Sequence, residues 1–196
     1  LPLPLAMLRS SEGQLLDAGV GSTDGSRDFG VLNVTQAGVE QWIQLVDIYR
    51  DDTVRAIAEA PNGDFVLAGD HSDGPAFVRI SPDGEVVWVR DDVFRHSGLG
   101  TVSGNVWDVG VTAEGDIVFV GHTRRTVYLT RLYPVVTYSN YIALLDGNGD
   151  VRWKTTVGDA RLYGVTATAD GTFMATGNVG GYLVLIEVDS EGNVLN

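Results

Sequence analysis

A pattern of glycine residues repeats four times along this chain of 196 residues and constrains its fold more than any other feature. In each repeat, a polar residue followed by glycine precedes a short apolar segment, and a second glycine stands six residues after the first. The first glycines are Gly13, Gly63, Gly115 and Gly171, so the repeats are spaced by 50, 52 and 56 residues. A period of this length is typical of a unit of four short strands rather than of a helical repeat.

A third glycine marks a later turn in every repeat, and a tryptophan follows it after four residues in the first three repeats. The turn glycines are Gly38, Gly84, Gly149 and Gly192, and the tryptophans are Trp42, Trp88 and Trp153. Large aromatic side chains contribute much of the buried contact area in a core. We therefore interpret these tryptophans as residues that pack one repeat against the next, rather than as a stacking platform for a ligand.

Within each repeat, apolar residues alternate with other residues in the manner of a β-strand. In the second repeat Val78 and Ile80 flank Arg79, which gives the period of two that is typical of a sheet. No segment shows a sustained apolar stripe with the 3.6-residue period of a helix. The sequence therefore predicts an all-β chain with almost no helix, in which many of the 25 glycines form tight turns.

Four-stranded antiparallel sheets that repeat around a common axis form a β-propeller. We predict a single propeller region, residues 1–196, with about four blades of 50–56 residues. The predicted blades cover about residues 5–50, 53–92 and 105–158, and an incomplete last blade covers 161–196.

The fourth repeat reaches Asn196 at the position where a tryptophan is expected, so its outer strand is incomplete. Three explanations stay open. The chain is part of a larger ring, or a partner chain completes the last sheet by strand addition, or a ring of four blades closes with this edge unexplained.

The clearest copies of the repeat are residues 141–153, with the sequence YIALLDGNGDVRW, and residues 170–194. They resemble the repeats of bacterial and archaeal β-propellers of the PQQ-like superfamily and of their non-enzymatic secreted relatives. The resemblance implies a propeller fold, but it lies in structural positions and says little about activity. Through the secreted relatives, it also gives the expectation of an extracellular or cell-envelope location.

The third repeat differs from the others by a 13-residue insertion within residues 123–140. A second irregular segment, residues 91–104, connects the second repeat to the third. In an antiparallel meander both segments lie on the same face, and irregular loops on rigid scaffolds tend to carry binding. Arginine and tyrosine, which are enriched at interfaces, occur in the insertion as Arg124, Arg125, Tyr128, Arg131, Tyr133 and Tyr138. The alternative is a long hairpin that packs on its own blade and exposes its arginines to water.

Two further residues, Trp107 and Asp108, lie in an inner strand of the third repeat, where the other repeats have no such pair. They are candidates for a site in a central channel, where the carboxylate would hold a cation or water. The alternative is a carboxylate that is solvated or hydrogen-bonded locally near the end of its strand.

A calcium-like spacing of oxygen ligands occurs at Asp146, Asn148 and Asp150. The later glutamate of an EF-hand loop is missing, because that position is Val157. Equivalent positions in other repeats are polar turns, so we interpret this segment as a hairpin turn and treat calcium as a weak candidate. No other metal site and no cofactor is predicted.

The charge of the chain excludes two classes of partner. It contains 26 acidic and 13 basic residues, a net charge of −13, and such a chain repels nucleic acids and anionic membranes. It contains no cysteine and no apolar segment of the length that crosses a membrane.

We therefore predict a non-catalytic β-propeller that acts as an interaction scaffold or as a subunit of a larger assembly. A protein partner or self-association would use the face that carries residues 91–104 and 123–140. Enzymatic activity stays open, although no motif marks a catalytic nucleophile. The alternatives are a fragment of a PQQ-dependent quinoprotein dehydrogenase and a glycan-binding propeller that uses tyrosine rings and carboxylates.

Overall fold

The computed structural model describes residues 3–22, 25–49, 51–94, 101–130 and 133–195, and it contains only β-strands and turns there. Within these ranges the prediction of an all-β chain without helix is confirmed. Fifteen strands form four antiparallel sheets, which follow one another along the chain.

Each sheet is a simple meander, in which neighbouring strands are also consecutive in sequence. Sheet 1 contains β1 (Leu3–Arg9), β2 (Leu15–Gly21), β3 (Asp28–Val34) and β4 (Glu40–Val46). Sheet 2 contains β5 (Thr53–Glu59), β6 (Phe65–His71), β7 (Gly74–Ile80) and β8 (Val86–Arg90). Sheet 3 contains β9 (Thr101–Val111), β10 (Ile117–Thr130), β11 (Tyr133–Leu145) and β12 (Val151–Thr156). Sheet 4 contains β13 (Arg161–Ala167), β14 (Phe173–Val179) and β15 (Tyr182–Val188).

The sheets converge at their first strands. In the described part of the chain β1 lies against β5, β5 against β9, and β9 against β13, whereas the fourth strands make no comparable contact with one another. This places the first strands innermost and the fourth strands outermost. The hairpins between second and third strands and the links between sheets lie at one end of the strands, which we call the connection face. The other hairpins lie at the opposite end, the turn face.

Three apolar cores separate the four sheets, because residues on alternate faces of each strand pack in opposite directions. We call the side of a sheet that is directed to the next sheet its forward face, and the other side its backward face. Between sheets 2 and 3, for example, Phe77 on a forward face meets Phe119 on a backward face, with ring centroids 4.6 Å apart. Both side chains are fully buried.

The repeated tryptophans join each sheet to the next one. Each indole lies on the forward side of its sheet and donates a hydrogen bond to a backbone carbonyl in the turn that follows the third strand of the next sheet. The bonds are Trp42 to Pro82 at 2.9 Å, Trp88 to Gly147 at 3.2 Å and Trp153 to Ser190 at 2.9 Å. The interpretation of these residues as contacts between neighbouring repeats is confirmed.

The second glycine of the repeat is explained by a bulge in the neighbouring first strand. Every first strand has one unpaired residue at an equivalent position, namely Leu5, Arg55, Trp107 and Tyr163. In sheet 3 the bulge brings the carbonyl of Asn105 so close to Gly121 that any Cβ would overlap it. The same holds for Thr53 with Gly69 and for Arg161 with Gly177.

The insertion of the third repeat extends the strands of sheet 3. β9, β10 and β11 have 11, 14 and 13 residues, whereas the strands of the other sheets have 5–7. Their additional residues form a three-stranded wall above the connection face, which consists of residues 101–105, 122–130 and 133–140.

The series of sheets is open at both ends. Among the described residues, β1 and β13 make no contact comparable with that between consecutive first strands. Sheet 4 has three strands, and one isolated bridge pairs Val194 with Val188 next to its last strand. Within the described ranges the four sheets are therefore not closed into a ring.

Replacing Gly121 with alanine tests the link between bulge and glycine. The new Cβ would overlap the Asn105 carbonyl oxygen and lie 2.6 Å from the Tyr141 hydroxyl, so we expect Gly121→Ala to lower the free energy of unfolding by about 3 kcal/mol or more. In Gly110→Ala, a control in the same sheet, the Cβ meets a Val118 methyl at 3.3 Å, and the loss should be much smaller. Urea unfolding measures both, and equal losses would contradict this explanation.

Candidate functional site

A cleft of about 670 Å³ opens on the connection face between the wall of sheet 3 and the adjoining edge of sheet 4. It contains aromatic, amide and cationic side chains together. The residues that matter for its chemistry are Trp107, His122, Tyr138, Asn140, Arg161 and Tyr163.

Trp107 is at the centre of the aromatic contacts in this cleft. It is the bulged residue of β9, and bulges redirect a side chain relative to its strand. Its ring stacks on His122 with centroids 5.8 Å apart, and it meets Tyr163 edge-on at 6.0 Å. The Arg55 guanidinium carbon lies 5.0 Å from the centroid of the Trp107 ring, a distance typical of a cation–π interaction.

Arg55, Trp107 and Tyr163 form a continuous row along the innermost strands. They are the bulged residues of β5, β9 and β13, so the same backbone irregularity in three consecutive sheets brings their side chains together. We call these three residues the inner row. Arg55 is held in place by an ion pair with Asp70 in the neighbouring strand.

The environment of His122 favours the neutral form of its imidazole. Burial lowers the pKa of its imidazole, and the nearby positive charges of Arg161 and Arg55 lower it further, while Asp70 opposes them. A neutral imidazole offers one donor and one acceptor nitrogen. His122 therefore contributes hydrogen-bonding capacity and a flat ring to the cleft without adding charge.

Asp108, the neighbour of Trp107, contacts the next sheet. Its carboxylate accepts a hydrogen bond from the backbone N–H of Val165 at 2.9 Å, which joins the first strands of sheets 3 and 4. Burial raises the pKa of this carboxyl group, although the hydrogen bonds to Val165 and Val109 oppose that effect. The structure thus gives Asp108 a position beside the cleft and a local hydrogen-bond partner.

The wall presents two of the predicted binding residues on its cleft side. Tyr138 lines the cleft and is 66% exposed, and Arg124 is its direct cross-strand neighbour. Residues that face each other in this way share one side of a sheet. Arg125 is paired with Thr137 and is exposed on the other side of the wall.

Other residues predicted for this face are only partly described. Tyr128 and Tyr133 are positions in β10 and β11 whose side chains lie outside the described part, and Arg131 lies outside it altogether. Of segment 91–104, residues 95–100 also lie outside it. The insertion thus brings Tyr138 to the cleft that Trp107 also lines, and it places Arg124 on the same side of the wall.

Sequence reasoning missed several residues of the cleft, namely Arg55, His122, Asn140, Arg161 and Tyr163. Two of them had a detectable signal, because Arg55 and Tyr163 stand eight residues before the first glycine of their repeats, as Trp107 does. The others depend on strand pairing and on the packing of sheet 4 against sheet 3.

The weak calcium candidate has the geometry of a turn. The Asp146 Oδ1 atom accepts backbone hydrogen bonds from Asn148 at 2.8 Å and Asp150 at 3.0 Å. Asp189 accepts the equivalent bonds in the fourth repeat. Within the described ranges, no group of three or more histidine or acidic side chains is arranged to hold a metal ion.

The described part of segment 91–104 is held to sheet 3 by Lys154, the only lysine of the chain. The Lys154 ammonium nitrogen lies 3.7 Å from the centroid of the Phe94 ring and 4.5 Å from that of Tyr141. The rings favour the charged ammonium, but burial lowers its pKa from 10.5 to about 8.

This lowered pKa predicts a specific dependence of stability on pH. Between pH 8 and 10.5 the unfolded chain keeps the Lys154 proton that the folded chain releases, so the free energy of unfolding rises with pH. We expect the native chain to gain about 1–2 kcal/mol relative to Lys154→Met across this interval, less than the full shift because the ammonium is partly exposed. Urea unfolding at several pH values measures the difference, and parallel profiles would contradict it.

Comparison with known proteins shows the fold. A quinoprotein alcohol dehydrogenase-like protein from Bacteroides thetaiotaomicron matches 100% of this chain, with a TM-score of 0.56 and 10% identity. The Dos1 propeller matches 99% of it, with a TM-score of 0.53 and 11% identity. Puromycin hydrolase matches 94%, with a TM-score of 0.54 and 14% identity. At these identities the likeness shows a propeller-type arrangement of sheets and nothing about activity.

This chain spans only part of those proteins, namely 45% of the first, 50% of the second and 26% of the third. No protein-family model matches the sequence, and no curated protein matches it. In the described ranges there is no helix long and apolar enough to cross a membrane.

Proposed function

We propose that this chain is a propeller-type interaction module that binds a protein partner on its connection face. The partner would lie in the cleft and against the wall, in contact with Trp107, Tyr138 and Arg124. The observation that carries the proposal is the wall itself, in which three strands of sheet 3 extend beyond the length of the strands in the other sheets. It sets an exposed tyrosine and an exposed arginine beside a cleft that already contains an aromatic row.

The chemistry of this face suits a partner that presents carboxylates beside apolar or aromatic side chains. Arg124, Arg125 and Arg161 are exposed in a chain whose net charge is −13. The cleft also contains Asp159, which would restrict where a partner carboxylate can lie. Tyrosine and arginine are the residue types that most often dominate the energy of an interface.

Charge reversal on the wall tests this proposal. The double variant Arg124→Glu, Arg125→Glu and the single variant Tyr138→Ala change exposed side chains, so we expect both to fold and to bind the partner at least tenfold more weakly. Arg152→Glu is the matched control, because Arg152 is an exposed arginine near the turn face of the same sheet. Partners co-purified from the source cells are quantified by mass spectrometry, and recovery from the wall variants equal to that from the control would count against the proposal.

A glycan is the second candidate ligand, and the inner row is the observation that favours it. Tyr163 is 47% exposed beside Trp107, and the amide of Asn140 lies in the same cleft. Aromatic faces combined with a few polar groups form the usual lining of small-ligand sites. A glycan array separates the two candidates. The variant Tyr163→Ala should lose glycan binding, whereas the double variant Arg124→Glu, Arg125→Glu should retain it. If the native chain binds no glycan on the array, this candidate is wrong.

Two further inferences from the sequence stay part of the proposal. Membership of the PQQ-like superfamily and a quinoprotein activity are supported only by the repeats and by the likeness of the fold. If pyrroloquinoline quinone and calcium leave the visible spectrum of the protein unchanged, the hypothesis of quinoprotein activity is wrong. The extracellular or cell-envelope location is supported only by the resemblance to secreted relatives. Fractionation of the source cells tests it.

A further inference from the structure

The two outermost sheet faces of this chain expose large apolar side chains. On the backward face of sheet 1, Met7 is 74% and Ile43 is 42% exposed. On the forward face of sheet 4, Leu183 is 89% and Leu185 is 56% exposed. Contiguous apolar faces of this kind mark interaction surfaces in soluble proteins.

The repeat shows that these faces are copies of buried ones. Met7 stands six residues before the first glycine of its repeat, as Val109 does in the third repeat, where it is 6% exposed in the core between sheets 2 and 3. Leu185 pairs with the residue directly before the second glycine of its repeat, and Phe77 and Ile142 pair with the equivalent residues in sheets 2 and 3. Phe77 and Ile142 are both 0% exposed. At these positions the outer faces thus carry the residue types of an interface between sheets, whereas Asp17 and Thr176 stand where other repeats have buried apolar residues such as Leu67 and Ala68.

We propose that two copies of this chain associate head to tail, so that sheet 4 of each copy packs on sheet 1 of the other. One molecule carries both complementary faces, and the pair covers all four open faces in a ring of eight sheets. Propellers contain typically about 4–8 blades. The chain spans 45% and 50% of two solved structures that it resembles, so two copies match the size of those proteins.

Charged side chains at the two faces are complementary in the arrangement that the repeat defines. Between sheets 1 and 2, Glu59 at the end of β5 accepts hydrogen bonds from Ser11 in the first turn of the preceding sheet, from its N–H at 2.7 Å and its hydroxyl at 2.6 Å. Arg9 is the equivalent of Glu59 in sheet 1, and in sheet 4 the equivalent of Ser11 is Ala169, which is followed by Asp170. Head-to-tail packing therefore places Arg9 of one copy next to Asp170 of the other.

An unpaired carboxylate oxygen on sheet 1 agrees with this arrangement. Asp17 lies between Met7 and Leu32 in a cross-strand row of the backward face. Its Oδ1 atom is buried and has no hydrogen-bond partner in the described structure. The forward face of sheet 4 carries the exposed hydroxyl groups of Thr166 and Thr176, which supply donors of the kind that this oxygen lacks. An unsatisfied buried acceptor destabilises a fold, so a partner that satisfies it adds to the affinity.

The geometry of the pair distinguishes it from other assemblies. A head-to-tail contact either closes or continues into a filament, and here closure forms two interfaces at once. A specific interface buries about 1,200–2,000 Å², and closure forms two interfaces between the same two chains. The association uses the end faces, which meet the cleft only at its edge, at Tyr163 and Asn178, and it does not depend on the proposed binding function.

Analytical ultracentrifugation of the purified chain tests this proposal. We expect a dimer of two 21.0 kDa chains at micromolar concentration. Met7→Glu on sheet 1 and Leu185→Glu on sheet 4 change exposed side chains, and each variant should sediment as a folded monomer. Val87→Glu is the matched control, because Val87 is 53% exposed in the outermost strand of sheet 2, and it should leave the dimer unchanged.

Mixing the two variants gives the decisive result. The Met7→Glu chain keeps its sheet 4 face and the Leu185→Glu chain keeps its sheet 1 face, so one intact interface should form between them and restore a dimer. If the native chain is monomeric at all concentrations, the proposal is wrong. That result is expected if the chain belongs to a longer protein whose neighbouring sheets cover these two faces. A dimer that only one of the two substitutions removes, or an open series of larger oligomers, overturns it as well. Circular dichroism confirms that each variant is folded.

Discussion

The hydrogen bond from each tryptophan to the following sheet is the interaction on which the arrangement of this molecule depends. Apolar packing alone would hold two sheets together in many relative positions, because it has no direction. The indole N–H adds a directed contact to one carbonyl, at 2.9–3.2 Å, and the ring rests on the turn that contains this carbonyl. Three such contacts fix the relative position of four sheets. The residues of the cores can then differ from one core to the next. Phe29 and Phe65 lie in the core between sheets 1 and 2, and Phe77 and Phe119 lie in the core between sheets 2 and 3.

The bulges in the first strands have the complementary role at the inner edge. A bulge changes the direction of one side chain and brings a carbonyl against the neighbouring strand, where only glycine leaves room for it. The bulge thus explains the second glycine of the last three repeats. It also supplies an inner row of side chains, and the residue type at each position of this row differs from repeat to repeat. In this chain the row is Arg55, Trp107 and Tyr163, which gives a cationic and aromatic lining to the region beneath the wall.

The cleft and the open end faces are two different kinds of surface. The cleft combines aromatic rings, arginines and a neutral histidine, and it is specific to the third and fourth repeats. The end faces are ordinary interfaces between repeats that lack their neighbours, so their side chains reflect packing rather than recognition. Binding of a partner and association of two copies therefore use surfaces of different composition, which adjoin at Tyr163 and Asn178 of sheet 4.

The sequence by itself determined the repeat, the all-β class and the role of the three tryptophans, since each of these leaves a periodic signal along the chain. It also located the irregular segment of the third repeat and two residues that line the cleft, Trp107 and Tyr138. The tertiary structure alone decided that the insertion extends three strands into a wall, and that Arg55, His122 and Tyr163 surround Trp107. It also decided that both end faces stay open. The reason is physical, because the periodicity of the sequence shows only which face of its own strand a residue occupies. The direction of a bulged side chain and its contacts in the next sheet depend on strand register and on the packing between sheets.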